Sequence, residues 1–376
     1  MIDVNRDALH DSYMDRALAL ALEGWGQVSP NPLVGAVLVS EKRVIGEGCH
    51  ATFGADHAEV VALREGLGES SGATLYVTLE PCRHAGKTPP CTEAILQAGV
   101  SRVVFGCGDP DPVATGGAGL LREAGIEVVG GVRSMEAARV NEMFIWDRLG
   151  HGPWVSLKLA LSLDGRIAAR PGVRTDITGV EAAKYVHRLR AAHDAILVGG
   201  RTVAVDDPLL TVRMARAPRV PPTRVVLDPN LNMPPVCRLV GSVDEAPLLV
   251  VCREGAPPGQ RRELERRGAD VVSVAADGEG LALDAVLLAL GARGLRSILV
   301  EGGGRLAAAL LAGGFVRKQH LIYAPVVFGL DGVPSMGAVM SVGAGDWSVV
   351  SRKSLGNDTL LELEDRCASD ALREVA

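Results

Sequence analysis

Apolar positions along the first 150 residues switch period several times. Residues 12–24 repeat at helical spacing through Met14 and Leu18, and two short alternating runs, Val34–Ser40 and Arg43–Gly48, predict a hairpin across Glu41-Lys42. His57–Leu67 reads as a helix, Thr74–Leu79 as a strand, Cys91–Ala98 as a helix and Val103–Gly106 as a strand. A helix over 117–124 and the strand Ile126–Val129 follow. Strands each fed by a helix predict an α/β/α layered domain.

The pattern breaks at Arg148-Leu149-Gly150-His151-Gly152-Pro153, where two glycines and a proline separate apolar segments. This divides the chain into domains at 1–150 and 151–376. Beyond the break a second strand series runs through Trp154–Ala160, Ala195–Val198, Arg224–Leu227, Leu248–Cys252, Val271–Val274, Ser297–Val300 and His320–Tyr323. Helical stretches at 181–191, 260–267, 281–290 and 305–312 lie between them, so the second half reads as another α/β domain. The proline-rich 217–222 and 229–235 stretches read as surface loops, and the charged residues from Asp365 onward are expected to fray.

Composition narrows the class. With 47% hydrophobic residues the chain can fill two cores, and its 3% aromatic content points to small-residue packing. A net charge of -6 argues against a large nucleic-acid footprint. Seven cysteines, an odd number, do not resemble a secreted disulfide framework. The apolar stretch Ala17–Leu22 lacks the layout of a signal peptide, and no apolar run is long enough to span a bilayer. A cytoplasmic enzyme without membrane contact is expected.

The chemistry concentrates in His57-Ala58-Glu59, Pro81-Cys82 and Cys91. One His and two Cys give three zinc ligands and leave the fourth tetrahedral position open, as catalytic sites do. An H-x-E…P-C…C order with a spare Glu is the signature of zinc-dependent deaminases. His57 and Glu59, two residues apart, can converge only at a helix start, for which Asp56 is a suitable N-cap. Cys91 opens the next helix, where the dipole favours a thiolate. Glu59 is the expected proton carrier.

Eight residues separate the two cysteines, through Cys82-Arg83-His84-Ala85-Gly86-Lys87-Thr88-Pro89-Pro90-Cys91, with Pro30-Asn31-Pro32-Leu33-Val34-Gly35 upstream and Gly108-Asp109-Pro110 downstream. Further on stand Leu157-Lys158, Ser162-Leu163-Asp164-Gly165, Asp206 to Arg213 and Val300-Glu301-Gly302-Gly303-Gly304. In these landmarks and their order nearly the whole chain resembles the bifunctional riboflavin-biosynthesis deaminase/reductase family. The resemblance implies a cytidine-deaminase-like domain followed by a dihydrofolate-reductase-like domain. It also implies zinc and NADPH as cofactors and a phosphorylated pyrimidine as substrate. Asn31, His50, His84, Lys87 and Thr88 are then expected at the first substrate, the loop donors suiting its phosphate.

In the second domain the strand–glycine–helix unit ending in Gly303 and Gly304 suits a cofactor pyrophosphate. The missing G-x-G-x-x-G argues against a Rossmann module. The resemblance implies cofactor contacts from Ala160, Asp176, Thr202, Asp206, Gly303 and Gly304, and substrate contacts from Arg190, Leu210, Arg213 and Glu301. Lys158 is the candidate for polarising the sugar carbonyl. The chain departs from the family at Arg174-Thr175-Asp176-Ile177-Thr178, where Arg174 replaces a serine and Asp176 an aromatic. Asp111 and Thr115 also depart from the family's pattern. A weakened or retuned reductase is the alternative that Arg174 and Asp176 raise. A homo-oligomer is the expected assembly.

Overall fold

The computed structural model describes residues 4–66, 68–278, 280–336 and 346–376. The chain divides into two compact units, one running to His151 and including Ser369–Ala376, the other covering Gly152–Ala368.

The first unit contains α1 (Val4–Ala21), β1 (Gly35–Ser40), β2 (Arg43–Cys49), α2 (Ala58–Glu65), β3 (Thr74–Leu79), α3 (Cys91–Ala98), β4 (Arg102–Cys107), α4 (Gly117–Glu123), β5 (Glu127–Val129), α5 (Ser134–Val140) and α6 (Glu142–Arg148). Its sheet has the order β2-β1-β3-β4-β5; β1 runs antiparallel to both neighbours, while β3, β4 and β5 are parallel. Val37, Leu38, Leu75, Val77, Val103 and Val104 are fully buried, so the central strands are apolar on both faces, as a sheet covered by helices requires. Close layer packing depends on small residues: a Cβ at Gly35 would stand 2.0 Å from the Ala17 carbonyl oxygen in α1. The predicted end of the second helix at Leu67 lies outside the described residues.

The second unit contains β6 (Trp154–Leu161), β7 (Arg166–Ala168), α7 (Val180–Ala192), β8 (Ala195–Gly199), α8 (Gly200–Asp206), β9 (Thr223–Leu227), β10 (Leu248–Arg253), α9 (Pro258–Arg266), β11 (Asp270–Val274), β12 (Ala276–Asp277), β13 (Gly280–Leu281), α10 (Leu283–Gly291), β14 (Ser297–Val300), α11 (Gly304–Ala312), β15 (Lys318–Tyr323), β16 (Val333–Pro334), β17 (Trp347–Leu355) and β18 (Asp358–Asp365). Nine strands form one sheet in the order β11-β10-β9-β8-β14-β6-β15-β18-β17, parallel from β11 to β15 and antiparallel across β18 and β17.

Two expectations need correction. The residues from Asp365 do not fray. They form α12 (Arg366–Arg373), with Ala371 and Leu372 buried, because the charges fall on one face and the apolar positions on the other. The second domain also does not keep everything to 376, since Ser369–Ala376 packs with the first unit and Leu372 belongs to that unit's core.

Candidate functional site

Three local structures bring the expected zinc ligands together. His57, not Asp56, is the N-cap of α2, with extended backbone (φ -71°, ψ 156°). Asp56 pairs with Arg64 at 2.8 Å, so its carboxylate is used on the surface and not on the helix N–H groups. Glu59 then lies in the first turn of α2 and is buried. Cys82 lies just past the C-terminal end of β3, and Cys91 is the first residue of α3. Crevices beyond the carboxyl ends of parallel strands are where open α/β sheets bind ligands.

The strand exit that carries Cys82 is pinned by Glu80. Its carboxylate accepts hydrogen bonds from the N–H groups of Gly116 (3.1 Å) and Ala118 (3.0 Å) and from the Thr115 hydroxyl (3.1 Å). Thr115, one of the departures from the family, thus helps to hold Glu80. A Cβ at Gly117 would stand 1.8 Å from the Pro81 carbonyl oxygen, so only glycine lets α4 approach this turn. Glu80 was not foreseen, because its partners lie more than thirty residues away and no local pattern joins them.

The ligand atoms of His57, Cys82 and Cys91 all lie within 4.8 Å of one another. His57 Nδ1 is 3.6 Å from Cys82 Sγ and 3.0 Å from Cys91 Sγ. Tetrahedral zinc with ordinary Zn–N and Zn–S bonds separates such atoms by about 3.6 Å, so the set fits this metal. The Cys82 thiol is drawn down and the Cys91 thiol pushed up, in both cases first by the hydrogen bond between them. Two buried sulfurs beside an imidazole nitrogen are a donor set that a cation would complete. Burial pushes the Glu59 carboxyl above its ordinary value, although His57 opposes the shift.

A cavity of about 260 Å³ opens above this tripod, lined by Asn31, His50, His57, Glu59, Cys82, His84, Lys87 and Thr88 among others. Every first-domain residue expected at metal or substrate is therefore in one place. His50 is buried, with Nδ1 3.1 Å from the Asp56 carbonyl oxygen and Nε2 3.2 Å from Asn31 Nδ2. As the amide nitrogen can only donate, His50 accepts at Nε2 and donates from Nδ1, which makes it neutral. Burial lowers its pKa in the same sense. The Lys87 ammonium lies 3.9 Å over the Phe53 ring, and His84 Nδ1 is buried without a hydrogen-bond partner. Asp109, Asp111, Phe144 and Arg148 also line the wall, and burial raises Asp109 to about 6. The Asp109 motif was visible in sequence; the return of Arg148 from α6 to pair with Asp111 at 3.4 Å was not.

In the second unit a cavity of about 680 Å³ is lined by Asp176, Arg190, Thr202, Asp206, Leu210, Arg213, Gly303 and Gly304. Pockets for cofactors and drug-sized ligands span roughly 300–1,000 Å³. A Cβ at Gly304 would meet the carbonyl oxygens of Pro334 and Ser335 at 2.7 Å, so the start of α11 must be glycine here. Leu210, buried at φ 53°, holds a left-handed conformation that a branched side chain rarely adopts. Arg174 and Asp176 pair with each other at 3.2 Å on the rim. Arg170, Arg201, Arg238 and Arg305 also line this cavity, and no motif had marked them. Their cationic groups, with bare glycine backbone, suit a polyphosphate such as the dinucleotide cofactor.

Lys158, Ala160 and Glu301 are not in the cavity wall. Lys158 and Ala160 lie on β6 beside β15, and Glu301 follows β14. Arg190 holds Glu301 through two hydrogen bonds of 2.6 and 2.9 Å and donates a third to the Thr211 carbonyl at 3.2 Å. Arg213 donates to the Thr211 hydroxyl at 2.7 Å.

Sequence families agree with both halves. Residues 7–107 match the cytidine and deoxycytidylate deaminase zinc-binding region, and residues 153–361 match the RibD C-terminal domain. Riboflavin biosynthesis protein RibD of Aquifex aeolicus is 40% identical over 319 residues, covering 85% of this chain and 87% of its own. The Mycobacterium tuberculosis protein of that name is 38% identical over 364 residues, covering 94% and 98%. The Thermotoga maritima diaminohydroxyphosphoribosylaminopyrimidine deaminase/5-amino-6-(5-phosphoribosylamino)uracil reductase superposes with a TM-score of 0.81 at 34% identity, covering 96% of this chain and 99% of that one. Acinetobacter baumannii RibD matches equally well in fold, with a TM-score of 0.81 at 33% identity over 96% and 99% of the two chains. The chain belongs to the RibD family of riboflavin biosynthesis proteins, with a zinc-binding deaminase domain and a reductase domain.

Proposed function

We propose that the chain performs two steps of riboflavin biosynthesis. The first unit deaminates 2,5-diamino-6-ribosylamino-4(3H)-pyrimidinone 5′-phosphate, and the second reduces the ribosyl group of the product to ribityl. The observation that carries this reading is the buried Glu59 beside the His57, Cys82 and Cys91 tripod, in a chain whose second half is a RibD reductase domain.

His57, Cys82 and Cys91 would hold zinc, which when bound would supply a Lewis acid that makes water nucleophilic near neutral pH. Glu59 takes up a proton at its carboxylate and returns it to the departing amine; burial raises its pKa and so suits it to both tasks. Asn31, fixed by His50, presents its amide to the pyrimidine edge. Lys87 leaves the Phe53 ring to meet the substrate phosphate, with His84 and Thr88 donating beside it.

NADPH supplies the hydride for the second step. Thr202, Asp206, Asp176, Gly303 and Gly304 in the cavity wall would hold the cofactor, and Ala160 on β6 is assigned to it by the family resemblance alone. Arg190, Leu210 and Arg213 form the substrate side of the cavity, with Glu301 acting behind them through its two hydrogen bonds to Arg190. Lys158, beside the Arg190–Glu301 pair, polarises the sugar carbonyl with its ammonium. The protein is proposed to act in the cytoplasm as a homo-oligomer; no helix among the described residues is long and apolar enough to cross a membrane.

Incubating the protein with the diaminopyrimidinone phosphate, with and without NADPH, tests both halves separately. Ammonia in either case and ribityl product only with NADPH are expected; no ammonia would sink the reading. Arg174 and Asp176 on the cofactor rim favour one second reading, a retuned reductase. Ammonia without an NADPH-dependent product would select it.

A further inference from the structure

The wall of the deaminase cavity depends on residues that follow the reductase half in the chain. Among the described residues the last ladder pair of β3 with β4 is Leu79 with Cys107, and the Cys107 carbonyl accepts from Glu80 N–H at 2.9 Å. The next donor, Gly108 N–H, therefore needs a partner from elsewhere. It finds the carbonyl oxygen of Val375 at 2.7 Å.

That acceptor is itself anchored. Ala371 and Leu372 of α12 are buried, Leu372 within the first unit's core, and Val375 packs against the same core. On the other side of the bond, Gly108 leads straight into Asp109 and Asp111, both in the cavity wall. Within this wall Asp109 accepts from Asp111 N–H at 2.9 Å and Asp111 from Val113 N–H at 3.0 Å. These bonds shape the loop but do not fix its height above the sheet. The Gly108–Val375 bond fixes where the loop leaves β4, and the Asp111–Arg148 pair at 3.4 Å holds its far side.

We infer that Ser369–Ala376 is a positioning clamp for the deaminase, in which the Val375 carbonyl holds the Asp109–Asp111 wall at the height that admits substrate. The clamp acts through that wall and touches neither substrate nor metal. It makes the deaminase domain discontinuous: a deaminase cut from this chain at the hinge lacks part of its own pocket support. The inference rests on the deaminase reading given above.

The test compares three full-length-derived proteins: the intact chain, a chain ending at Arg373, and Val375→Ala. Ending at Arg373 removes the acceptor while keeping Leu372 in the core. Val375→Ala trims a partly buried side chain but keeps the carbonyl. Each protein is assayed for ammonia release from the diaminopyrimidinone phosphate, for reduction of the deaminated phosphate by NADPH, and for bound zinc. The chain ending at Arg373 is expected to show a deaminase KM raised about tenfold, the scale of one well-made hydrogen bond, with a smaller change in kcat. Its zinc content and reductase rate stay at the intact level, and Val375→Ala behaves as the intact chain does. An unchanged KM in the shortened chain would overturn the clamp. So would a loss shared by zinc content and the reductase rate, which marks general unfolding, or an equal loss in Val375→Ala, which marks side-chain packing. Absence of ammonia from the intact chain would sink the deaminase reading itself, and the clamp with it.

Discussion

Arg190 and Glu301 meet through two parallel hydrogen bonds, Nε to Oε1 at 2.6 Å and Nη2 to Oε2 at 2.9 Å, with side chains only 12% and 9% exposed. Sequence reasoning assigned each of them separately to substrate; in the fold each is first of all the other's partner. Burial works against ionisation of Glu301, yet Arg190, with Lys158 and His187, outweighs it and holds the carboxyl below its ordinary value. The same carboxylate supports the Lys158 ammonium, which burial draws down and Arg190 draws down further.

Glu301→Gln is therefore expected to act twice. Leaving Arg190 buried without its counter-charge should cost about 3–5 kcal/mol of stability in the second unit, read from denaturant unfolding. Lys158 also loses the anion that supports its ammonium, so its pKa falls further. If protonated Lys158 polarises the carbonyl, reduction fails as pH rises through that pKa, and the alkaline limb of the reductase profile moves to lower pH. An alkaline limb that stays in place would remove Lys158 from the mechanism.

How much of this was readable depended on how local each constraint is. His57, Glu59, Cys82 and Cys91 were legible because each lies at an element boundary written by its own neighbours. Thr74–Leu79, Cys91–Ala98 and Ser297–Val300 have the bounds that the hydrophobic pattern predicts. β17 and β18 were missed because their polarity resembles a solvated segment: Glu362 and Glu364 alternate with leucines yet are buried, Glu362 against His320, Tyr185 and Lys353. α5 and α6 were missed too, although α6 brings Arg148 to the cavity. The Asp56 cap failed for a different reason. His57 itself takes the extended backbone of the cap, and the Asp56 carboxylate that would have capped the helix pairs with Arg64 instead.

Cys82→Ser should separate the two activities. Replacing a thiolate by a hydroxyl weakens the zinc site, so bound zinc and ammonia release should both fall to background. The reductase cavity lies wholly within residues 167–334, and NADPH oxidation with the deaminated substrate should persist. Metal analysis beside the two assays checks this. A reductase lost together with zinc would contradict the independence of the sites.

Glu59→Gln keeps the shape of the side chain and removes its proton transfer. Deaminase kcat is expected to drop about 10²–10⁴-fold with zinc still bound, the usual range for a general acid–base group. Zinc content equal to that of the unmodified protein, measured on the same sample, separates this from damage to the ligands. Normal ammonia release would show that another group carries the proton.

Acid should destabilise the second unit through His193. The residue is buried, with Nδ1 2.8 Å from the Leu189 carbonyl oxygen and Nε2 2.9 Å from the Ser156 hydroxyl; burial lowers its pKa to about 4. Unfolded, a histidine takes a proton near 6.5. Between those values the unfolded chain binds a proton that the folded chain refuses. The stabilisation is thus complete above about 6.5 and drains as pH falls towards 4, at about 1.4 kcal/mol per pH unit. His187, also lowered to about 4, first by burial, acts in the same direction. His193→Gln should flatten the fall in unfolding free energy between pH 6.5 and 4.5; an unchanged slope would assign acid sensitivity to other groups.

The Arg174–Asp176 pair decides how well the second cavity receives an anionic cofactor. Its side chains are 55% and 83% exposed, so the 3.2 Å contact adds little to stability. Its electrostatic effect on the cavity is another matter, because Asp206, raised mainly by burial, feels Arg174 lowering its pKa and Asp176 raising it. Arg174 and the carboxylates of Asp176 and Asp206 are therefore coupled charges on the wall of the space assigned to a dinucleotide phosphate, beside Arg170, Arg201, Arg238 and Arg305. Arg174→Ala removes the guanidinium that pairs with Asp176 and lowers Asp206, and should raise the KM for NADPH several-fold. Asp176→Ala should lower it, with stability nearly unchanged in both variants. The difference between them should shrink as salt is raised from 0.01 M to about 1 M, where screening acts over only about 3 Å. A KM that responds to neither substitution would place the cofactor away from this rim.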